Sequence, residues 1–219
     1  MNKYKEIICI GLLTGCSSID LSRVAPGYTE AFNAIQTIIY GYENTSITPE
    51  LVENIPFASM IMNIGNGPKG LMILESKRDS KSIWVSADDV YLVEDHGKIT
   101  QTRGLNNNLD GILYTTDFSK LIHVDTNQTF TYYASFSEPR LSNLKLQVNF
   151  VRKEKTLITL FNRDLFLTLI EEKIRSDDLG WNVTNRYWID DDSFIWKSEQ
   201  SISPKVPKIF IQVTKKPSI

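Results

Sequence analysis

The sequence predicts a mainly β fold: an antiparallel, strongly curved sheet that forms a barrel-like or sandwich domain, with an N-terminal amphipathic helix before it. Short apolar runs separated by turn residues recur from residue 55 onward, and such runs indicate strands joined by tight turns. About ten strands at this spacing are typical of an antiparallel sandwich or barrel. Helical periodicity is confined to the region before these runs, which disfavours a doubly wound parallel sheet.

The predicted helix begins shortly after Pro26 and ends near Gly41, because glycine commonly terminates helices. Its apolar side chains fall at the spacing of a single helical face. They are Tyr28, Ala31, Phe32, Ile35, Ile38, Ile39 and Tyr42. We expect this face to pack on the protein core, and a partner helix is the alternative.

The predicted strands follow in three groups. "FASMIMNI" and "LMILES" flank the loop "GNGPKG", and "SIWVS" and the hairpin "DVYLVEDHGKITQT" come next, with His96-Gly97 at the hairpin turn. The second group is "TFTYYASFS", "LKLQVNFV", "TLITLF" and "LFLTLIEEKI". The third group places "NVTNRYWI" and "SFIWKSEQSIS" around the turn "DDD" and closes with "KIFIQVT". Residues 105–122 fit a loop, a short helix or a strand.

The chain opens with the layout of a secretory signal. Lys3 and Lys5 supply positive charge, and an apolar stretch follows from Ile7 to Leu13. The tetrad "LTGC", which ends at Cys16, resembles a bacterial lipobox, in which the cysteine is lipidated after cleavage. A buried strand with a core thiol is disfavoured because the stretch runs into the polar segment "GCSSIDLS". A catalytic thiol is disfavoured because it needs a base and a rigid setting.

This interpretation divides the chain into a lipoprotein signal peptide at 1–15, a tether at 16–25 and a single β-rich domain at 26–219. Cys16 is then the lipid-attachment site and carries acyl chains such as palmitate. No apolar run approaches the ~20 residues of a membrane-spanning helix, so the lipid would be the membrane anchor. Ser17 after the cysteine indicates the outer membrane by the general pattern of lipoprotein sorting.

Charge and composition exclude several classes of function. The formal net charge is −2, so no basic field recruits nucleic acid. His96 and His123 are the only histidines. His96 lies in a predicted turn, and we expect His123 to be packed. The run 190–192 lacks the spacing of a calcium loop and indicates a solvated turn. The sequence therefore predicts no metal and no cofactor.

No catalytic residue stands out. Nucleophile and Walker motifs are missing from the sequence. Glu171 and Glu172 are adjacent, so on a strand their side chains point to opposite faces and form a poor acid–base pair. Two carboxylates that are distant in the sequence remain open as an alternative, since such pairs hydrolyse glycosidic bonds.

Aromatic residues are the remaining distinctive feature. Tryptophan and tyrosine can stack on sugar rings and anchor binding surfaces, but they also fill β cores. Tyr187 and Trp188 are neighbours on one strand, so their side chains face opposite ways. The candidates for binding a glycan or a partner protein are Trp84, Trp181, Tyr187, Trp188 and Trp196.

Several stretches together resemble the GfcB/YjbF family of group 4 capsule polysaccharide lipoproteins of Gram-negative bacteria. They are "ENIPFASMIMNIGNG", "SIWVSADDVYLVEDHGKITQTRGLNNNL" and "NRYWIDDDSFIWKSEQSISPKVPKIFIQVTKKP". The matching elements are Ile55-Pro56, Trp84 with Ser86, Gly97, "GLNNNL" at 104–109, and the C-terminal pattern Tyr187-Trp188, Trp196, Ser198 and Gln200. One departure is Asp192-Ser193, where the family usually has a Thr-Gly turn.

The resemblance implies a barrel-like β domain in an outer-membrane lipoprotein that faces the periplasm. It also implies a non-catalytic accessory role in the secretion or assembly of capsule or exopolysaccharide. Polysaccharide-export proteins of the envelope are the expected partners, and the polysaccharide itself is a further candidate. The alternatives are a glycan-modifying enzyme and a periplasmic lipid carrier with an apolar cavity.

Overall fold

The computed structural model describes residues 47–114, 116, 118–121, 123 and 128–217. The predicted N-terminal helix, the lipobox with Cys16 and the tether lie outside these residues. Within the described part of the chain, no helix is long and apolar enough to cross a membrane.

The described residues form twelve strands and two short helices, which confirms the mainly β fold. The helices are α1 (Pro49–Asn54) and α2 (Phe118–Leu121). The strands are β1 (Ser59–Ile64), β2 (Gly70–Arg78), β3 (Lys81–Ser86), β4 (Tyr91–Asp95), β5 (Lys98–Arg103), β6 (Leu109–Tyr114), β7 (Thr129–Phe136), β8 (Leu141–Leu160), β9 (Arg163–Ser176), β10 (Trp181–Ile189), β11 (Ile195–Gln200) and β12 (Ile209–Lys215).

All twelve strands belong to one sheet, in the order β5-β4-β3-β2-β1-β12-β11-β10-β9-β8-β7-β6. Every pairing is antiparallel. The sheet curls until β5 and β6, its first and last strands, lie side by side. It is therefore nearly closed and barrel-like, and we call its interior the lumen.

Several turns lie where the sequence predicts them. His96 and Gly97, at φ values of 49° and 80°, form the two-residue turn between β4 and β5, as expected for a hairpin whose central residues both have positive φ. The "GNGPKG" loop joins β1 to β2, and "DDD" lies between β10 and β11. Ser193 takes a left-handed φ of 65°, the conformation that the glycine of a Thr-Gly turn would favour.

The prediction of separate strands for "LKLQVNFV" and "TLITLF" is wrong, because both belong to the 20-residue strand β8. β9 pairs with β8 on both sides of the charged segment between them, so the segment stays extended with a register shift between Arg152 and Lys155. "LFLTLIEEKI" is a strand within β9, as predicted. The ambiguous residues 105–122 contain β6 and α2.

Side chains from alternate strand positions fill most of the lumen. The largest of those that are almost fully buried include Trp84, Tyr132, Tyr187, Lys98, Phe118 and Phe136. Phe118 comes from α2, and its ring centroid lies 5.4 Å from that of Tyr187 and 6.1 Å from that of Phe150. Burial of such apolar surface, worth roughly 25 cal/mol per Å², is the main stabilising contribution of this core.

Two smaller apolar clusters cover the outer face of the sheet. In the first, Ile55 at the end of α1 packs with Leu71, Ile73 and Val85. The second cluster consists of Leu160, Leu167 and Trp188. The sheet therefore has apolar contacts on both faces, which explains why some strands carry long apolar runs instead of strict alternation.

Side-chain hydrogen bonds complete the seam between β5 and β6. Among the described residues no backbone ladder joins these two strands. Instead, the backbone N–H of Leu109 donates to Thr102 Oγ1 at 2.9 Å. Asn108 from the "GLNNNL" stretch closes the connecting loop, since its Oδ1 accepts from the backbone N–H of Leu105 at 3.1 Å.

The start of β5 also reaches across the lumen to β11. The N–H of Ile99 donates to Gln200 Oε1 at 2.9 Å, and Gln200 Nε2 donates to the carbonyl of Gly97 at 3.0 Å. We call this contact the β5–β11 bridge. It lies between a filled part of the lumen around Lys98 and an open cleft bordered by β3, β4, β11 and β12.

The close approach of Ile195 to the β4–β5 turn predicts a specific need for glycine at position 97. A Cβ there would lie 2.9 Å from the Cβ of Ile195, and the φ of 80° is itself unfavourable for other residues. We expect Gly97→Ala to lower the free energy of unfolding by about 1–3 kcal/mol, measured by urea denaturation.

Gly111→Ala is the matched control, because a Cβ at Gly111 meets nothing within 4 Å. We expect its free energy of unfolding to stay within about 0.5 kcal/mol of the parent. If both substitutions lowered the free energy of unfolding equally, the steric role assigned to Gly97 would be wrong.

Candidate functional site

The open part of the lumen is a cleft of about 570 Å³ at one end of the sheet. Its walls are inward-facing side chains of β3, β4, β11 and β12, namely Ser82, Trp84, Glu94, Ser198, Ile211 and Val213. Its rim comprises the β2–β3, β4–β5 and β10–β11 turns together with Lys216 and Pro217 after β12. The volume lies within the range of small-molecule binding sites.

The strand register brings Trp84 and Glu94 together inside the cleft. Ser82 pairs with Glu94 and Trp84 pairs with Leu92 across β3 and β4, so all four side chains point to the lumen. The indole Nε1 of Trp84 donates to Glu94 Oε2 at 2.8 Å. Hydroxyl groups of Ser82 and Ser198 lie along the same walls. The cleft thus combines an aromatic ring, a carboxyl group and hydroxyl groups.

Glu94 is a buried carboxyl group, 7% exposed. Among the described residues none forms an ion pair with it. Burial therefore raises the pKa of Glu94 to about 7, and the hydrogen bond from Trp84 opposes part of this rise. Near neutral pH the group exists both as an acceptor-only carboxylate and as a carboxylic acid that can donate.

The rim near the β10–β11 turn carries an aromatic ring, that of Phe194, and a cation, Lys216. Phe194 and Trp196 meet edge to face with centroids 5.1 Å apart, and the Lys216 ammonium lies 4.5 Å from the Phe194 centroid. Asp190 organises the turn, since its carboxylate accepts from the Phe194 backbone N–H and from Trp196 Nε1, both at 2.8 Å. Asp191 pairs with Lys155 at 2.7 Å. These acids therefore shape the turn.

Beyond the bridge, the lumen contains a buried ion pair. Lys98 Nζ lies 2.7 Å from both carboxylate oxygens of Glu172, and the two side chains are 2% and 0% exposed. The hydroxyl of Tyr187 donates to Glu172 Oε2 at 2.7 Å, and Asn185 Nδ2 donates to the same oxygen at 2.9 Å. Glu172 therefore has a cation and two neutral donors.

This environment shifts two pKa values. Burial lowers the pKa of the Lys98 ammonium, and the neighbouring Glu172 carboxylate opposes the shift. Burial beside the same carboxylate raises the pKa of Tyr187 well above its ordinary value. The space left in this part of the lumen is only about 10 Å³, about the volume that one water molecule requires. This part of the lumen has no room for an acyl chain.

Among the described residues, no group of three or more His, Cys, Asp or Glu side chains has the geometry of a metal site. His96 lies in the β4–β5 turn at the rim of the cleft. The expectation that His123 is packed is wrong: its side chain is exposed, and Nε2 lies 3.0 Å from Ser193 Oγ.

The five predicted aromatic candidates do not form one surface. Trp84 and Tyr187 are 2% and 0% exposed, so neither presents a free ring to a ligand outside the sheet, although Trp84 lines the cleft. Trp181 packs against the main core. Trp196 packs edge to face against Phe194 and also contacts the main core and the outer cluster. For all five, a role in binding a glycan or a partner stays a prediction.

The prediction that Tyr187 and Trp188 face opposite ways is confirmed. Tyr187 lies in the lumen, whereas Trp188 is 9% exposed in the outer cluster with Lys197 Nζ 4.2 Å above its ring. Glu171 and Glu172 also diverge. Glu171 lies within 3.4 Å of Arg186, which projects from the same face of β10, and Glu172 is buried in the lumen.

Sequence reasoning missed Glu94, Lys98 and Gln200 as interior residues. A signal was present for Glu172, since alternation through "LTLIEEKI" places it in the same inward register as Ile170 and Ile174. A buried acid in such a register requires a buried cation or donors. Nothing in the local sequence identifies Lys98 as that cation.

Comparisons with known proteins agree with this fold. The model of the family described as group 4 capsule polysaccharide lipoprotein GfcB, YjbF matches residues 32–214. The lipoprotein YjbF of Escherichia coli (strain K12) is 24% identical over 197 residues, 89% of this chain and 88% of YjbF. The lipoprotein GfcB of the same organism is 19% identical over 183 residues, 81% of each chain.

A solved structure supports the same architecture. The crystal structure of the hypothetical lipoprotein YmcC from Escherichia coli (K12) superposes with a TM-score of 0.71. The match covers 86% of this chain and 97% of YmcC at 16% sequence identity. At this identity the likeness shows the fold alone.

The burial of Glu94 predicts a pH-dependent stability. Between the ordinary pKa of 4.5 and the folded-state value of about 7, the native state keeps a proton that the unfolded chain has released. The contribution of Glu94 to the free energy of unfolding therefore falls as pH rises through this window, by up to about 3 kcal/mol. Glu94→Gln cannot titrate, so relative to the parent it should gain stability from pH 4.5 to 7.5 in urea denaturation.

Glu154→Gln is the control for this measurement, because Glu154 is exposed on β8. Its stability relative to the parent should show no comparable rise over the same pH range. If the difference in free energy of unfolding between Glu94→Gln and the parent stays constant from pH 4.5 to 7.5, burial does not raise the pKa of Glu94 as described.

Proposed function

Because the chain belongs to the GfcB/YjbF family of group 4 capsule polysaccharide lipoproteins, we propose that it is a periplasm-facing outer-membrane lipoprotein that assists the secretion or assembly of capsule or exopolysaccharide. It acts without catalysis, by binding glycan in the cleft and by docking on polysaccharide-export proteins of the envelope. The cleft lined by Trp84 and Glu94 is the observation that carries this proposal.

The anchoring part of the proposal rests on the N-terminal sequence. Residues 1–15 act as a signal peptide, and Cys16 carries the lipid after cleavage. Residues 16–25 form a tether between the membrane and the domain that begins at residue 26. Attachment through several acyl chains holds the domain at the membrane face, since a single chain gives only marginal binding.

The chemistry of the cleft suits a saccharide. Sugars present apolar ring faces and hydroxyl groups, and proteins bind them with aromatic rings and with groups that accept or donate hydrogen bonds. Glu94 supplies a hydrogen-bonding group in the interior beside the edge of Trp84, and Phe194 adds aromatic surface at the rim. Ile211 and Val213 make part of the wall apolar, which favours displacement of water by a ring face.

A glycan-modifying enzyme is the second candidate, and the raised pKa of Glu94 favours it. A buried carboxyl group that is protonated near neutral pH can act as a general acid. Hydrolysis also requires a second carboxylate on the other side of the bond. Asp79 and Asp192 in the rim turns are the available residues.

The anchoring proposal is tested by Cys16→Ala in the full-length chain. We expect the variant to leave the membrane fraction of the native cells, because it lacks the thiol to which the lipid is attached. Fractionation followed by immunoblotting measures the shift, with Ser17→Ala as a control that keeps the thiol. Membrane attachment of Cys16→Ala equal to that of the parent would contradict the proposal.

The glycan-binding proposal is tested by filling the cleft. Ser82 is partly exposed and lines the cleft opposite Glu94, so Ser82→Phe places a ring in the binding space. We expect at least about tenfold weaker binding of the extracellular polysaccharide of the native organism, which corresponds to about 1.4 kcal/mol. Isothermal titration calorimetry measures the affinity.

Ser142→Phe is the matched control, because Ser142 is exposed on β8 away from the cleft. Its affinity should equal that of the parent. Failure of the parent to bind, or equal binding by Ser82→Phe, would contradict the cleft as a glycan site. Release of new reducing ends by the parent but not by Glu94→Gln would instead favour the enzyme.

A further inference from the structure

We propose that the cleft recognises the end of a polysaccharide chain, not its interior, and that its ligand is the terminal few sugar residues. The inference rests on the proposed glycan binding and specifies the ligand of that same cleft. It follows from the lumen, which is filled behind the β5–β11 bridge, so that the cleft is closed at that end.

The floor of the cleft is closed by buried side chains and by the β5–β11 bridge. Trp84 is 2% exposed, and Gln200 holds the backbone of β5 through its hydrogen bonds to Gly97 and Ile99. Behind the bridge, the lumen around Lys98 leaves only about 10 Å³. A polymer that entered the cleft could not leave through the other end of the sheet.

The entrance lies among turns at one end of the strands. The β2–β3 turn contributes Asp79 and Ser80, the β4–β5 turn contributes His96, and the β10–β11 turn contributes Ser193. The segment after β12 completes this rim with Lys216. An internal stretch of polysaccharide needs a groove that is open at both ends, because the chain continues on either side. A pocket with one entrance instead accepts a terminus.

The interior of the cleft offers groups that can identify a terminal residue. A terminal sugar has a free hydroxyl group where an internal residue has a glycosidic bond. Glu94 and Ser198 lie in the interior walls, where each can form a hydrogen bond with such a hydroxyl. Glu94 Oε2 already accepts from Trp84 Nε1, and Ser198 Oγ already accepts from Gln200 Nε2 at 3.0 Å. An internal residue would leave the remaining hydrogen-bonding capacity of these two buried groups unmet, which carries a free-energy cost. The cleft would therefore bind the end of a polysaccharide chain more tightly than an internal stretch of the same chain.

The test compares fragments of one polysaccharide that differ only in length. Partial acid hydrolysis of the native organism's extracellular polysaccharide, followed by size fractionation, provides a short fraction and one about tenfold longer. If the protein binds ends, both fractions should bind with similar affinity per chain and with the same number of proteins per chain. If it binds internal residues, the longer fraction should bind several proteins per chain and show higher affinity per chain.

Calorimetric stoichiometry with the full-length Cys16→Ala chain distinguishes the outcomes. A protein-to-chain ratio that rises with length would overturn end recognition and leave glycan binding intact. Failure of both fractions to bind would overturn the proposed function as well.

A pair of substitutions tests the interior contact. Glu94→Gln keeps an acceptor for Trp84 but changes the group that meets the sugar hydroxyl, and we expect about fivefold or greater weakening for the short fraction. Glu154→Gln, away from the cleft, should bind as the parent does. If Glu94→Gln and Glu154→Gln bound the short fraction with equal affinity, the proposed contact between Glu94 and the terminal sugar would be wrong.

Discussion

The buried ion pair between Lys98 and Glu172 is the interaction on which the rest of the structure depends. It joins the first strand of the sheet order, β5, to β9 across the lumen, at a point where no backbone ladder closes the sheet among the described residues. Both carboxylate oxygens are satisfied, since Tyr187 and Asn185 add hydrogen bonds to those from Lys98. Loss of one partner of such a pair typically costs 3–5 kcal/mol, because the other charge stays buried and unpaired.

The bridge between β5 and β11 follows from the same placement of β5. Lys98 holds the beginning of the strand in the interior, and the adjacent Gly97 and Ile99 then meet Gln200. This arrangement separates a filled region from an open one. Two buried glutamates consequently differ in role. Glu172 is paired with a cation, whereas Glu94 lines the cleft without an ionic partner among the described residues and accepts a hydrogen bond from Trp84.

Local sequence patterns predicted the turns and most strands, because the conformations involved depend on neighbouring residues. The His96-Gly97 turn and the strand through "LFLTLIEEKI" are examples. Predictions from local patterns were wrong where the structure of a segment depends on contacts with residues far away in the sequence. β8 remains one strand through a charged segment since β9 supplies its hydrogen bonds. His123 is exposed because the β10–β11 turn, not the core, lies beside it.

The sequence by itself determined the mainly β fold class, the alternation that separates Tyr187 from Trp188, and the resemblance that placed the chain in its family. Each of these depends on residue types and on spacing along the chain. Only the tertiary structure decided that Lys98 meets Glu172, that Glu94 and Ser198 line one cleft, and that the lumen is closed behind it. The physical reason is that contacts across a curled sheet depend on strand order and register, which bring together residues that no local periodicity connects.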